Sequence, residues 1–408
     1  MGTAPFACRS CGETAVQAVV SLGEIPLVNA LVEPGETRDV PRYPLDVVRC
    51  PRCTLVQITA TIPPETLFRD YSYFSSYSST FLEHAERFAA WSIAELGLGD
   101  KSLVVEAASN DGYLLQYFVR QGVPVLGVEP ARNVAAIANA HGVETVDEFL
   151  DESLAQRLVA ERGHADLVVA NNVLAHVPDL HGFVTSLGSL AGESGLISIE
   201  VPYLCDLVDR LEFDTIYHEH LSYFTLTALM HLFGAHGIAI RDVRRLAVHG
   251  GSLRVLASRD GVRGEAVGTL LNEEAAWGVG DSARFDRFAA DVERLRRDLH
   301  NLVAGLVSSG SSVAAYGAAA KGVVLANTCD LDAGLIQFVV DRNPHKQGRL
   351  MPGALIPIEP TAALSRERPD YCLLFTWNLE DEVLAQEASY REQGGRFIVP
   401  IPTPRVLA

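Results

Sequence analysis

From Ser102 onward, short apolar runs alternate with helical stretches. Residues 103–106, 125–129, 167–170 and 196–201 are mostly apolar and bounded by turn signals, the pattern of strands buried on both faces of a parallel sheet. The helical segments between them predict a doubly wound α/β domain. Residues 238–245 and 252–257, joined by Val248-His249-Gly250-Gly251, predict a β-hairpin that closes it. A helix is predicted over 80–96. Further on, Phe285, Phe288, Val292, Leu295, Leu299, Leu302 and Leu306 recur at spacings of three and four, an apolar stripe on a long helix with Arg294, Arg296 and Arg297 off it. Such a helix either packs two domains together or pairs as a short coiled coil. Residues 312–316, 337–341, 371–376 and 396–399 then predict a second α/β sheet.

The chain is 408 residues long, enough for two or three cores. Lys plus Arg total 33 against 51 Asp plus Glu, a formal charge of -18 that opposes a phosphate polymer or an anionic membrane. Nucleic acid and membrane partners are therefore not expected. Nothing near Met1 resembles a leader, and no apolar run approaches ~18 residues, so the expectation is a soluble, cytoplasmic protein. Its oligomeric state is open, a monomer included.

Seven cysteines occur, and four form two tight pairs, Cys8-Arg9-Ser10-Cys11 and Cys50-Pro51-Arg52-Cys53. Two residues between thiolates let both sulfurs of a turn face one centre, and two such knuckles complete the four tetrahedral ligands of a structural zinc. A redox-active pair or an iron site is the alternative. The intervening loop is longer than the ~15–20 residues usual for this pattern, so residues 12–49 must hold an excursion of their own. Cys205, Cys329 and Cys372 read as small buried hydrophobes.

The first strand of the middle domain runs into Glu106-Ala107-Ala108-Ser109-Asn110-Asp111-Gly112, a turn at a strand carboxyl end where such folds bind ligands. About twenty residues on, Glu129 ends the second strand and is placed to accept ribose hydroxyls. A dinucleotide needs a glycine-rich turn for its pyrophosphate, whereas this turn has one glycine and two acids. S-adenosylmethionine is cationic and free of phosphate, so Glu106 and Asp111 attract it. Ser109, Asn110 and Asp111 also suit helix capping, which is compatible with ligand contact. Asn171 and Asn172 follow the next strand, with His176 beside them at the mouth of the sheet.

The densest titratable group lies between Glu212 and Phe224, from Asp214 through Tyr217-His218-Glu219-His220 to Tyr223. In an extended segment Tyr217 and Glu219 would share one side and the two histidines the other, whereas a turn mixes them. A histidine removes a proton at neutral pH, and a phenol can hydrogen-bond an oxygen that gains charge. A histidine–carboxylate metal site and ordinary packing are the competing readings. Residues 68–79, rich in Tyr, Phe and Ser, either line a pocket for a polar ring or pack between domains. Tyr316 and Gly317 lead through Ala318-Ala319-Ala320 to Lys321 and Gly322, a strand-to-helix turn able to receive a diphosphate on backbone N–H groups and one lysine. Lys321 precedes the second glycine, so this is not a nucleotide-hydrolysing loop. Residues 341–349 add charge after the next strand.

Taken in order, the cysteine knuckles, residues 106–112, Gly127-Val128-Glu129-Pro130, residues 171–176, Glu200-Val201-Pro202-Tyr203, Tyr217-His218-Glu219-His220, His249-Gly250-Gly251-Ser252 and residues 316–322 resemble, nearly end to end, the sugar C-methyltransferases of deoxysugar biosynthesis. The closest likeness is to those acting at C-3' of a dTDP-linked 4-keto-6-deoxysugar, on pathways to branched sugars of bacterial natural products, antibiotics among them. The resemblance implies a zinc-binding module over 1–75, a class I methyltransferase domain with a Rossmann-like α/β fold that binds S-adenosylmethionine over 76–260, and a linker helix with a Rossmann-like α/β domain holding the sugar nucleotide over 261–408. It implies His220 as base and Tyr217 near the keto oxygen, supported by Glu219 and His176. Tyr71, Tyr77, His249, Tyr316, Gly317 and Lys321 are implied on the substrate side. Two other readings stand beside it: a nicotinamide-dependent sugar-nucleotide oxidoreductase, and a non-catalytic zinc-bearing sugar-nucleotide-binding protein.

Overall fold

The computed structural model describes residues 6–35, 40–69 and 74–407. Tyr71 falls outside them, as does the side chain of His249. Strands β1 (Gln17–Pro26), β2 (Arg42–Arg49) and β3 (Val56–Ile58) form an antiparallel meander, and the hairpin β1–β2 is the excursion that separates the two cysteine pairs.

In the middle domain β4 (Val104–Ala107), β5 (Val125–Val128), β6 (Thr145–Val146), β7 (Leu167–Asn171) and β8 (Leu196–Pro202) are parallel. After β8, the short strand β9 (Ser222–Tyr223) leaves this sheet and pairs with β3 of the amino-terminal one. The predicted hairpin follows as β10 (Ala239–Leu246) and β11 (Ser252–Ser258), with β11 antiparallel to β8. The spatial order is β10-β11-β8-β7-β4-β5-β6, so the winding reverses between β4 and β7 and opens a crevice at their carboxyl ends.

The last sheet contains β12 (Val313–Tyr316), β13 (Val339–Val340), β14 (Ile358–Glu359), β15 (Tyr371–Leu374), β16 (Arg396–Val399) and β17 (Arg405–Val406), ordered β14-β13-β12-β15-β16-β17. All pairings are parallel except that of β17. This is the 3-2-1-4-5-6 order of a Rossmann sheet, with its own reversal between β12 and β15. Gly317 follows β12 with a φ of 93°, and a Cβ there would collide with Thr376 on the neighbouring crossover.

The striped helix spans Ser282–Ser308. Phe285, Phe288, Val292, Leu295 and Leu299 are buried in one core with residues of β1, β2, β12 and the segment after β8, and Leu302 and Leu306 pack at its edge. Its apolar face is thus consumed within the chain, which favours the domain-packing reading over the coiled coil. Among the described residues no helix is long and apolar enough to cross a membrane.

Both cysteine knuckles make the same turn: Gly12 N–H donates to Cys8 O at 2.9 Å and Thr54 N–H to Cys50 O at 3.0 Å. The turns bring Cys8 and Cys53 Sγ to 3.5 Å and Cys11 and Cys50 Sγ to 3.4 Å, with all four sulfurs within 4.8 Å of one another. Ligands ~2.3 Å from a tetrahedral zinc sit roughly 3.8 Å apart, so the cluster fits that ion and leaves it no open position. Cys8, Cys50 and Cys53 also belong to the core shared with the middle domain. Replacing Cys50 with Ser is expected to abolish stoichiometric zinc and to destabilise the fold by roughly 3 kcal/mol or more. Metal analysis and thermal melting check this; a variant that lacks zinc yet melts like the parent contradicts a structural role.

Candidate active site

At the reversal between β4 and β7 the polar side chains converge. Glu106 is buried beside the Tyr113 hydroxyl, which opposes the effect of burial, and its carboxylate oxygens make no hydrogen bond of ordinary length. Burial pushes its pKa well above the usual range, and the charges of Glu129 and Asp111 add to the rise. Glu129 accepts Asn110 N–H at 2.9 Å and Ala131 N–H at 2.8 Å, yet burial still lifts it to about 6. Ser109 Oγ, Asp111 Oδ1, Asn171 Oδ1 and Asn172 Nδ2 are likewise buried without partners. Gly127, on β5, has no room for a side chain, since a Cβ would meet the hydroxyls of Ser109 and Thr145. Carboxylate and amide oxygens joined by the Asn172 amide donor, with no basic side chain among these residues, fit a cationic, hydroxyl-bearing nucleoside and oppose a pyrophosphate. Gly112 closes the turn, its N–H on Ser109 O at 3.1 Å.

A strap lies across this turn. Ser75 N–H donates to Asn110 Oδ1 at 2.9 Å, and Ser76 reaches Asp111 Oδ2 through both its N–H and its hydroxyl. Beyond Ser76, Tyr77 stands 63% exposed beside Phe74 at a ring distance of 5.3 Å. Behind the crevice, His84, Glu200 and Arg254 form a buried network, with Arg254 donating to Glu200 Oε2 at 2.7 Å and His84 Nε2 within 3.1 Å of both Glu200 oxygens.

The Tyr217–His220 segment adopts the turn and not the extended form: His220 N–H donates to Tyr217 O at 2.9 Å. The turn puts the Tyr217 hydroxyl 3.0 Å from His220 Nε2, while His218 points away, its Nε2 3.3 Å from Pro44 O. His220 Nδ1 lies 2.8 Å from Thr215 O. A carbonyl only accepts, so Nδ1 carries the proton and Nε2 the lone pair, which receives the Tyr217 hydroxyl. Glu219 accepts Asn29 Nδ2–H at 2.6 Å, a hold from the amino-terminal module.

Leu221 ties this turn to two further elements. Leu221 N–H donates to Ala175 O at 2.7 Å, and Leu221 O accepts Ile58 N–H at 3.1 Å. The first bond draws the turn against the 3-10 segment Leu174–His176, so His176 and His220 meet edge to face with centroids 4.8 Å apart. Burial lowers the His176 pKa to about 4, which keeps that ring neutral, and its Nδ1 has no partner.

At the second reversal Lys321 faces a ring and two acids, with no hydrogen-bond partner on its Nζ among the described residues. Its buried Nζ lies 4.7 Å over the Trp377 ring, and the charges of Glu212 and Asp214 face it. Tyr316 is turned to the other side of β12, where its hydroxyl donates to Gln386 at 3.4 Å. Neither is brought to the Tyr217–His220 turn.

Three family models match in tandem: "Putative zinc binding domain" over residues 8–68, "Methyltransferase domain" over 81–243 and "C-methyltransferase C-terminal domain" over 247–402. The C-methyltransferase NovU of Streptomyces niveus is 39% identical over 405 residues, covering 98% of this chain and 96% of that protein. The chain belongs to this C-methyltransferase family. Among solved structures, magnesium protoporphyrin IX methyltransferase (ChlM) from Synechocystis PCC 6803 with bound SAM is 18% identical, covering 44% of this chain and 79% of its own at a TM-score of 0.34. A SAM-dependent methyltransferase from Anabaena variabilis ATCC 29413 is 15% identical, with 47% and 87% covered and a TM-score of 0.35.

The methyltransferase takes S-adenosylmethionine and zinc as cofactors, and its middle domain has the class I fold. Nothing local in the sequence marks His84, Arg254, Asn29 or Trp377 as supports of the site, whereas Ser75 and Ser76 fall in the 68–79 run, Asp214 in the titratable segment and Glu200 in Glu200-Val201-Pro202-Tyr203.

Because His176 drops from the ordinary 6.5 to about 4, the unfolded methyltransferase takes up a proton between those values that the folded one refuses. Stability is expected to fall by roughly 3 kcal/mol as pH drops across this window. Denaturant midpoints measured from pH 7 to 4 check it; His176→Gln should flatten the slope, and an equally steep slope in that variant contradicts the assignment. Acidification should also weaken S-adenosylmethionine binding as pH falls through about 6, because Glu129 must give up its proton to accept the ribose hydroxyls and Glu106 its own to meet a cation. Calorimetry in two buffers of different ionisation enthalpy reads the released protons; binding without proton release at pH 5.5 contradicts it.

Proposed function

We propose that this C-methyltransferase acts on C-3' of a dTDP-linked 4-keto-6-deoxysugar, in deoxysugar assembly for a natural product such as an antibiotic, in the cytoplasm. The carrying observation is the fixed His220 tautomer, with a lone pair on Nε2 at the end of a crevice lined with unsatisfied acceptors. A C–H bond beside a ketone is acidic enough for an imidazole once the ketone oxygen is hydrogen-bonded, because the electron pair is delocalised onto that oxygen. In this reading the Tyr217 hydroxyl turns from His220 Nε2 to the C-4' oxygen when the sugar binds and donates to it as it gains charge, so that the released Nε2 lone pair takes the C-3' proton. S-adenosylmethionine, when bound, supplies an electrophilic methyl group on a sulfonium. Glu106, Ser109, Asn110, Asp111, Gly112, Glu129, Asn171 and Asn172 hold and orient the donor. Neutral His176 packs the imidazole, and Glu219, fixed by Asn29, braces the turn.

Cys8, Cys11, Cys50 and Cys53 bind a structural zinc with no part in these steps. Residues 1–75, 76–260 and 261–408 serve as zinc module, donor domain and nucleotide domain. Tyr71, Tyr77 and His249 are assigned to the sugar-nucleotide side, with the start of helix Ala320–Thr328 after Gly317, and not Lys321 or Tyr316, turned to the diphosphate. The arrangement favours this reading over a nicotinamide-dependent oxidoreductase, whose pyrophosphate would meet Glu106 and Asp111.

His220→Asn is expected to lower C-3' deuterium exchange by on the order of 10²- to 10⁴-fold while S-adenosylmethionine still binds. NMR of the sugar nucleotide in D2O reads the exchange, and exchange at the parent rate in the variant excludes His220 as the base.

A further inference from the structure

The base is held by a carbonyl, and that carbonyl is held from another domain. Thr215, whose oxygen accepts His220 Nδ1–H, ends the 3-10 segment Phe213–Thr215. The residue before it, Asp214, is fully buried and accepts Trp377 Nε1–H at 2.6 Å, a contact spanning 163 residues from the carboxyl-terminal sheet. Trp377 is seated in turn under Lys321, whose Nζ lies 4.7 Å from its ring centre. The Asp214 carboxylate is buried at a cost, since burial raises its pKa while Lys321 and the Trp377 N–H oppose the rise. An acid retained in such surroundings for packing alone would be replaced by an apolar residue without loss. The segment also holds itself, with Ile216 N–H on Phe213 O at 3.0 Å and Thr215 N–H on Glu212 O at 3.1 Å, and Phe213 is buried in the core below it.

We propose that Trp377 and Asp214 are positioning residues: their hydrogen bond across the domain seam sets the Phe213–Thr215 turn, so that the Thr215 carbonyl selects the Nδ1–H tautomer of His220 and keeps the lone pair on Nε2. The carboxyl-terminal domain therefore contributes to the base as well as to substrate binding. This rests on the reading of His220 as the base, yet the tautomer is measurable without turnover. Without the Trp377 N–H the turn keeps the packing of Phe213 but loses the polar contact that fixes its Asp214–Thr215 end, and an imidazole without a preferred acceptor at Nδ1 populates both neutral tautomers.

The test uses the full-length, zinc-loaded protein labelled with 15N-histidine, with the His220 signals identified by their loss in His220→Asn. The parent is expected to show the Nδ1–H tautomer alone. Trp377→Phe is expected to show both tautomers and a kcat lowered 10- to 100-fold, with the KM for S-adenosylmethionine changed less than twofold. Asp214→Ala breaks the same bond from the other side and should reproduce both effects, which covers the case in which one variant does not fold. An Nε2–H tautomer in the parent overturns the proposal whatever the variants do. So does a folded variant that keeps the single Nδ1–H tautomer, or one that mixes tautomers at parental kcat. Should His220→Asn exchange C-3' hydrogen normally, the base assignment falls while the tautomer result still stands or falls alone.

Discussion

The hydrogen bond from His220 Nδ1 to the Thr215 carbonyl is the constraint on which the site depends. An imidazole is a base at only one nitrogen at a time, and the protein decides which by giving the other a partner that can only accept. Everything adjoining that bond works in the same direction. The β-turn folds Tyr217 back onto Nε2, Leu221 ties the turn to Ala175 and Ile58, and the uncharged ring of His176 fills the space beside it. A charged His176 so near would compete for the same acceptors, and its burial prevents that.

The three modules meet here for a topological reason. Open α/β sheets bind ligands where the winding reverses, and this chain has two such reversals, at β4/β7 and β12/β15. The segment between β8 and β10 lies between them. It donates β9 to the amino-terminal sheet, presents the His220 turn to the donor crevice and offers Asp214 to the carboxyl-terminal domain. The zinc module is then a frame: its strand β3 pairs with β9, Arg9 donates to Ile58 O at 2.6 Å and Asn29 holds Glu219. Loss of the metal should be felt at the His220 turn through β9 and not through chemistry at the ion.

Much of the fold was legible because it is written in short periods. The buried strands of the middle sheet, the β10–β11 hairpin and the striped helix follow from runs of neighbouring residues, and their observed bounds differ from those expected by a residue or two. The cysteine spacing was equally local. What stayed hidden depends on pairs far apart in sequence: Asp214 with Trp377, His84 with Glu200 and Arg254, Ser76 with Asp111. The motif around Lys321 is local, whereas the two acids that face it arrive from far away in the sequence. Tyr316 takes the face of β12 opposite to Val313 and Ala315, which point toward the long helix, because alternate residues of a strand face opposite ways.

The position of the new carbon–carbon bond tests the account most directly. Incubating the intact protein with dTDP-4-keto-6-deoxyglucose and S-adenosylmethionine carrying a 13C-methyl group, then recording long-range carbon–proton correlations of the product, locates the label. The account predicts a methyl bonded to C-3', with the C-3' hydrogen gone. A label on oxygen, or on any other carbon of the ring, would contradict it.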